Sequence, residues 1–289
     1  MELRQEYILS KLRTDYDTFT RAEKKIADYV LTYKFDVQYM SITELAAKCG
    51  VAEATLTRFC RTLGCGGFTG FKLALAKGSS LSLTAGESEE MKKAINPSDT
   101  LGEMCQKLYN ADREALSQTY QQIDPEQILR AVDYIQKAGR VYCCGQGGSG
   151  ILAMEAWGRF ITVTNKVQCV QDSHMQAMAI SLLEPEDAIL YFSFSGATKD
   201  LMDIAQIAGQ AKVRLLLVTG SATAPAAALA DVVLLCGAVE GPLQMGSVAA
   251  KVAQLYIIDV LFNEYCRREL AQAEQNREKT AEAIMSKFL

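Results

Sequence analysis

Two short segments carry the residue types that grip an anion. GQGGSG at 145–150 and SFSGATKD at 193–200 combine glycines with hydroxyls. Glycine lets backbone amides approach a ligand closely, and the helices expected to follow each segment add a favourable dipole at their amino ends. Each segment also follows a β-rich run, which puts it at a strand's carboxyl end, where open α/β sheets bind ligands. Gly145, Gly147 and Gly150 formally satisfy G-x-G-x-x-G, the dinucleotide fingerprint. No acidic residue follows a second strand at the place a ribose would need it, since the run near Val167 leads only to Gln171 and Asp172. The hydroxyls of Ser149, Ser193, Ser195 and Thr198, with the backbone of Gly147, Gly148 and Gly196, suit a phosphate better. One such loop would be an ordinary strand-to-helix turn with a serine cap. Two together point to a ligand site.

A second constellation lies nearer the amino end. Within residues 42–61, Ala46, Gly50 and Leu56 stand where a helix-turn-helix needs a small residue, a turn glycine and an apolar residue facing back. Leu45, Val51, Phe59 and Leu63 complete a small core, leaving Glu53, Ala54, Thr55, Thr57, Arg58, Arg61 and Thr62 to point outward. Thr55, Thr57 and Arg58 are expected to reach base edges, Arg58 with two bonds to guanine O6 and N7. Lys48, Arg61 and Lys72 are expected to hold phosphates. Any three-helix bundle can use a glycine turn, so the charge distribution matters. Residues 1–77 hold 12 Lys and Arg against 9 Asp and Glu, an excess of +3; the remainder holds 18 against 25, or −7, within a net charge of −4. If one part meets nucleic acid, it is the first.

These residues need elements to position them. Apolar spacing predicts a helix over 18–33, a second from Ser41 to Gly50 opened by a Ser41/Glu44 capping box, a third over 53–63 stopped by Gly64, Gly66 and Gly67, and a fourth over 68–77. Residues 1–77 are therefore expected to form an all-α helix-turn-helix domain. Residues 78–99, polar and rich in small side chains, read as a linker. Helices over 101–120 and 125–137 lead into a second domain, 100–289. There, β-rich runs beginning at 141, 167, 188, 214 and 231 alternate with helical ones. Such an order predicts a doubly wound, parallel, five-stranded α/β sheet. Two helices, over 248–264 and 268–288, close the chain.

Other chemistry is poorly served. The nine cysteines are scattered without a C-x-x-C, and His174 is the only histidine, so one chain cannot assemble a histidine-based zinc site and no cofactor is implied. The thiols read as small core residues. No apolar run approaches the ~18–20 residues of a membrane span. Residues 1–10 lack a signal-peptide core, so a cytoplasmic protein is expected.

Taken as a set, SITELAAKCGVAEATLTRFCRTLG at 41, GFTGFKLALA at 67, GQGGSG at 145, DSHMQ at 172, SFSGATK at 193, ADVVL at 230 and AQLYIIDVLF at 253 resemble the RpiR family of bacterial regulators, a helix-turn-helix domain joined to a sugar isomerase (SIS) domain. The resemblance covers nearly the whole chain. It implies a SIS-mediated homodimer, with a tetramer left open, that binds a small phosphorylated sugar and thereby changes its affinity for operator DNA. Paired recognition helices in successive major grooves imply an inverted-repeat operator. By motif, the resemblance puts the phosphate at Ser149, Ser193, Ser195 and Thr198 beside the Gly147 and Gly148 backbone, and the DNA reader at 55–61. The chain departs from the family where members often carry an arginine and then a serine. Gln244 and Ala250 stand there, and 240–245 holds no cation. That leaves the sugar open, with Glu240 either facing it or lying as an exposed loop acid. The rival reading is a sugar phosphate isomerase, which needs a general base and often a ring-opening histidine. His174 is the one histidine available and reads as part of a helix start near the site, so a regulator without catalytic residues is expected.

Overall fold

The computed structural model describes residues 6–33, 37–38, 40–79, 95–238 and 247–287. Two compact units divide between Lys107 and Leu108.

The first unit is helical: α1 (Glu6–Thr14), a 3-10 turn at Tyr16–Thr18, α2 (Arg21–Thr32), α3 (Ile42–Cys49), α4 (Glu53–Thr62) and α5 (Phe68–Ser79). Helix α1 was not legible in the sequence. It contributes Ile8 and Leu12, both fully buried, which is too sparse a pattern to show a period. The helix expected over 18–33 begins at Arg21 because Thr20 caps it, exchanging bonds with Glu23. Ser41 and Glu44 form the expected capping box, the Ser41 amide donating to Glu44 Oε2 at 2.7 Å and the Glu44 amide to Ser41 Oγ at 3.1 Å. Ile26, Val30, Leu45, Leu56, Phe59, Leu63 and Phe71 close a shared core.

The division between the units falls within α6 (Leu101–Gln122), which is followed by α7 (Pro125–Lys137), opened by Asp124. The second unit then alternates strand and helix as far as β4: β1 (Val141–Gly145), α8 (Gly148–Phe160), β2 (Val167–Cys169), α9 (Ser173–Ser181), β3 (Ala188–Phe192), α10 (Lys199–Ala211) and β4 (Arg214–Thr219). A 3-10 turn at Pro225–Leu229 leads to β5 (Val232–Leu235), and α11 (Val248–Arg268) and α12 (Leu270–Met285) follow. All five strands are parallel, in the order β2-β1-β3-β4-β5. One face packs against α7, α8 and α11, the other against α9 and α10. β3 is buried throughout, while the edge strands β2 and β5 are only partly covered. The order reverses between β1 and β3, the switch point at which such sheets bind ligands.

Seven cysteines are buried, as expected, and Cys169 is half-buried. Cys105 is the exception, exposed on α6 because that helix buries only Ala115 and Thr119. Among the described residues no helix is long and apolar enough to cross a membrane.

Candidate functional site

Gly145, the last residue of β1, lies opposite Phe192, the last of β3, so the two predicted loops leave the sheet side by side at the switch point. Both are tightly built. A Cβ on Gly145 would fall 2.6 Å from the Ser149 carbonyl oxygen. Gly196, at φ +57°, leaves no room either: its Cβ would sit 2.4 Å from Ala224 Cβ and 2.9 Å from Thr219 Oγ1. Gly147 adopts φ +55° and ψ −123° just ahead of α8, a conformation reserved for glycine.

Helices α8 and α10 open at this edge, and neither amino end receives a side-chain cap bond. At α8 the Ser149 and Gly150 amides turn back to the Gln146 and Gly147 carbonyls at 3.0 and 3.1 Å, so the helix dipole at each amino end is what favours an anion there. Ser149 lies half-buried in the first turn of α8, and Thr198 is exposed at the N-cap position of α10 without capping it. Ser193 is buried, its Oγ accepting from the Gly196 amide at 3.2 Å; Ser195 is exposed, its Oγ accepting from the Ala197 amide at 3.4 Å. A hydroxyl that accepts an amide proton keeps its own to donate to an anion. A hollow of about 410 Å³ lies elsewhere, at the β5 edge, lined by residues including Gln127, Arg130 and Asp231. Two of its polar side chains are already engaged, Arg130 with the Asp231 carbonyl and Gln127 with the Val233 amide, which weakens it as a polar ligand's site.

Sequence reading missed the glutamines beneath the first loop. Gln176, the last residue of DSHMQ, is fully buried. Its Nε2 donates to the Val170 carbonyl at 2.7 Å and the Gly145 carbonyl at 3.3 Å, and its Oε1 accepts from Gln146 Nε2 at 2.9 Å. Gln171 donates to the Gly150 carbonyl at 3.0 Å. Tyr191, also fully buried, has a hydroxyl with no hydrogen-bond partner. Burial pushes that phenol's pKa up, with the nearby Gln146 amide offsetting a part. His174 is exposed on the first turn of α9, but Asp172 makes the cap there, accepting from the Met175 amide at 2.9 Å. Ala250 is buried; Glu240 and Gln244 lie outside the described residues.

In the first unit, Ala46 and Leu56 are buried and Gly50 turns at φ +62°. Thr43 Oγ1 donates to Glu53 Oε1 at 2.7 Å, tying α3 to the start of α4. No side chain caps α4 at Ala52, and the Thr55 amide turns back to the Ala52 carbonyl at 2.9 Å. Lys48, Arg58, Arg61 and Thr62 are exposed. Thr55 and Thr57 are half-buried where full exposure is expected, because α4 also turns Cys60 fully into the core. Lys72, expected at a phosphate, instead carries its ammonium onto the Met40 carbonyl at 2.8 Å and over the Phe68 ring. Burial lowers its pKa.

Known proteins resemble the chain along its length. The helix-turn-helix domain model of the rpiR family matches residues 6–82, and the SIS domain model matches residues 134–264. An HTH-type transcriptional regulator of Haemophilus influenzae is 32% identical over 96% of both chains. The HTH-type transcriptional regulator HexR of Escherichia coli is 27% identical over 96% of this chain and 94% of its own. Among solved structures, the Vibrio vulnificus NanR protein complexed with ManNAc-6P superposes with a TM-score of 0.85 at 28% identity, covering 97% of this chain and 99% of NanR.

Proposed function

Because the chain belongs to the rpiR family of helix-turn-helix transcriptional regulators with a SIS domain, we propose that a small sugar phosphate bound between its two serine loops sets its grip on operator DNA. The observation that carries this reading is the adjacency of the loops at the β1/β3 switch point. Ser149, Ser193, Ser195 and Thr198 donate hydroxyls to the phosphate there, and the backbone of Gly147, Gly148 and Gly196 lets it come close. The ManNAc-6P bound by NanR is a molecule of this class.

Residues 1–77 bind DNA, 100–289 sense and pair, and 78–99 connect them. Thr55, Thr57 and Arg58 read bases; Lys48 and Arg61 hold phosphates, while Lys72 secures the start of α3. Two protomers join through their SIS domains. Exposed Ile151 and Met154 on α8 and Met175 and Met178 on α9 offer apolar surface beside the β2 edge for a second copy. Two recognition helices then call for an inverted-repeat operator in the cytoplasm. The effector acts by favouring one dimer geometry over another, which requires that operator affinity differ between the two. An isomerase reading has less support, since relatives matching the full length are transcriptional regulators.

Thermal unfolding against a panel of sugar 6-phosphates, N-acetylmannosamine 6-phosphate among them, tests the site. A ligand specific to the folded state adds about 2.7 kcal/mol at a hundredfold excess over its Kd. Wild type should gain that stability and Ser195→Ala should not. An equal gain in both would remove the serine loops from the site, and turnover of the bound sugar would make the chain an enzyme.

A further inference from the structure

We infer that Gln146 and Gln176 couple the first glycine loop to helix α9, so that effector binding at the loop is felt on the outer face of that helix. The inference rests on the effector reading above. Gln176 spends its whole amide inside the protein: two donated bonds close the carbonyls of Gly145, where β1 ends, and Val170, just past β2, and its oxygen takes the Gln146 amide. Gln146 is the residue between Gly145, locked against Ser149, and Gly147, whose surroundings are open. The Ser149 amide donates to the Gln146 carbonyl at 3.0 Å, so an anion that draws that amide to itself moves the backbone that carries Gln146. Its side chain reaches α9 by a single bond of 2.9 Å.

A second position for the Gln146 amide is built in. The Tyr191 hydroxyl is fully buried with no hydrogen bond within 3.5 Å, and the Gln146 amide is the hydrogen-bonding group whose influence it feels. A buried hydroxyl left without a hydrogen bond is costly, so the amide can pass from Gln176 to Tyr191 with little net loss. When it does, Gln176 loses one of its three bonds and the seat of α9 loosens. The opposite side of α9 presents Met175 and Met178, 59% and 60% exposed, with Leu182 just past its end. Any partner seated on that face meets the change. Gln176 and Gln146 are thus positioning residues, with no contact to the sugar required.

Hydrogen–deuterium exchange on the full chain tests this, with inorganic phosphate and N-acetylmannosamine 6-phosphate as probes and the sugar 6-phosphate panel in reserve. In wild type, binding should change exchange across residues 173–181 by at least about threefold, well above local fraying. Gln146→Met, which leaves every serine in place, should keep probe affinity within about threefold, under 1 kcal/mol, and lose the α9 response. Tyr191→Phe, a near-isosteric change, should also bind and show a weakened response. A full α9 response in Gln146→Met, or binding by wild type with no α9 response, overturns the coupling alone. Failure of wild type to bind any probe overturns the effector reading and the coupling with it.

Discussion

Single atoms decide how tightly the two glycine loops are built. Gly145→Ala puts a Cβ 2.6 Å from the Ser149 carbonyl oxygen, so the first turn of α8 must move. The variant should lose about 1–3 kcal/mol by overpacking and also lose its thermal response to a sugar phosphate. Retention of that response would show that the first turn of α8 is not part of the site. Gly147→Ala meets no atom and is strained by its backbone alone, at about 1–3 kcal/mol. The thiols make a separate prediction. Cys105 is exposed, whereas burial pushes Cys60 up to about 12 and Cys144 higher still. Iodoacetamide on the native protein should therefore label Cys105 first, with Cys60 and Cys144 reacting only on unfolding. Early labelling of Cys144, read by mass spectrometry, would contradict the packing of β1. The hydroxyls and glycines of the loops were legible because they sit within a few residues of one another. Gln146, Gln176 and Tyr191 were not, because Gln146 and Gln176 lie 30 residues apart in the chain and Tyr191 lies on another strand, and no local pattern marks a glutamine as buried.

At the scale of elements, the strands and the helix-turn-helix could be read directly. Continuous apolar runs marked β3 and β4, and the Ser41/Glu44 pair with Gly50 marked both ends of α3. Helix α1 escaped notice because its place is set by Ile8 and Leu12 entering a core made by other helices. The lower end of the sheet offers a control for the upper. Asp187, ahead of β3, accepts from the Arg140 amide and guanidinium ahead of β1 and from the Glu184 amide, and it is nearly fully buried. Asp187→Asn should cost about 1.5–3 kcal/mol in chemical denaturation without altering sugar phosphate affinity. A loss of affinity would mean that the strand ends are not independent. On α4, Arg58→Ala should weaken operator binding by about 1–3 kcal/mol with relaxed preference at one base pair. Arg61→Ala should weaken all sequences alike and reduce the salt slope by about one. Identical behaviour of the two variants would undo the division between base reader and phosphate holder.

At the scale of the whole molecule, the proposed division of labour, with DNA gripped by residues 1–77 and the effector sensed by the rest, matches the distribution of charge. The bulk of the chain carries net charge −7 against +3 for residues 1–77. That distribution favours contact with DNA through residues 1–77. In the proposed dimer, the apolar side chains exposed on α8 and α9 would be covered by the second copy, which would supply the second recognition helix that an inverted repeat requires. None of this regulates unless the two sites are coupled. The most direct test is anisotropy of a labelled duplex, selected by the protein itself from random DNA, titrated with and without the sugar phosphate that raises its melting temperature. Wild type should show operator affinity shifted by about 5–150-fold, and Ser195→Ala should show no shift. Unchanged operator affinity while the sugar phosphate is demonstrably bound would contradict the account.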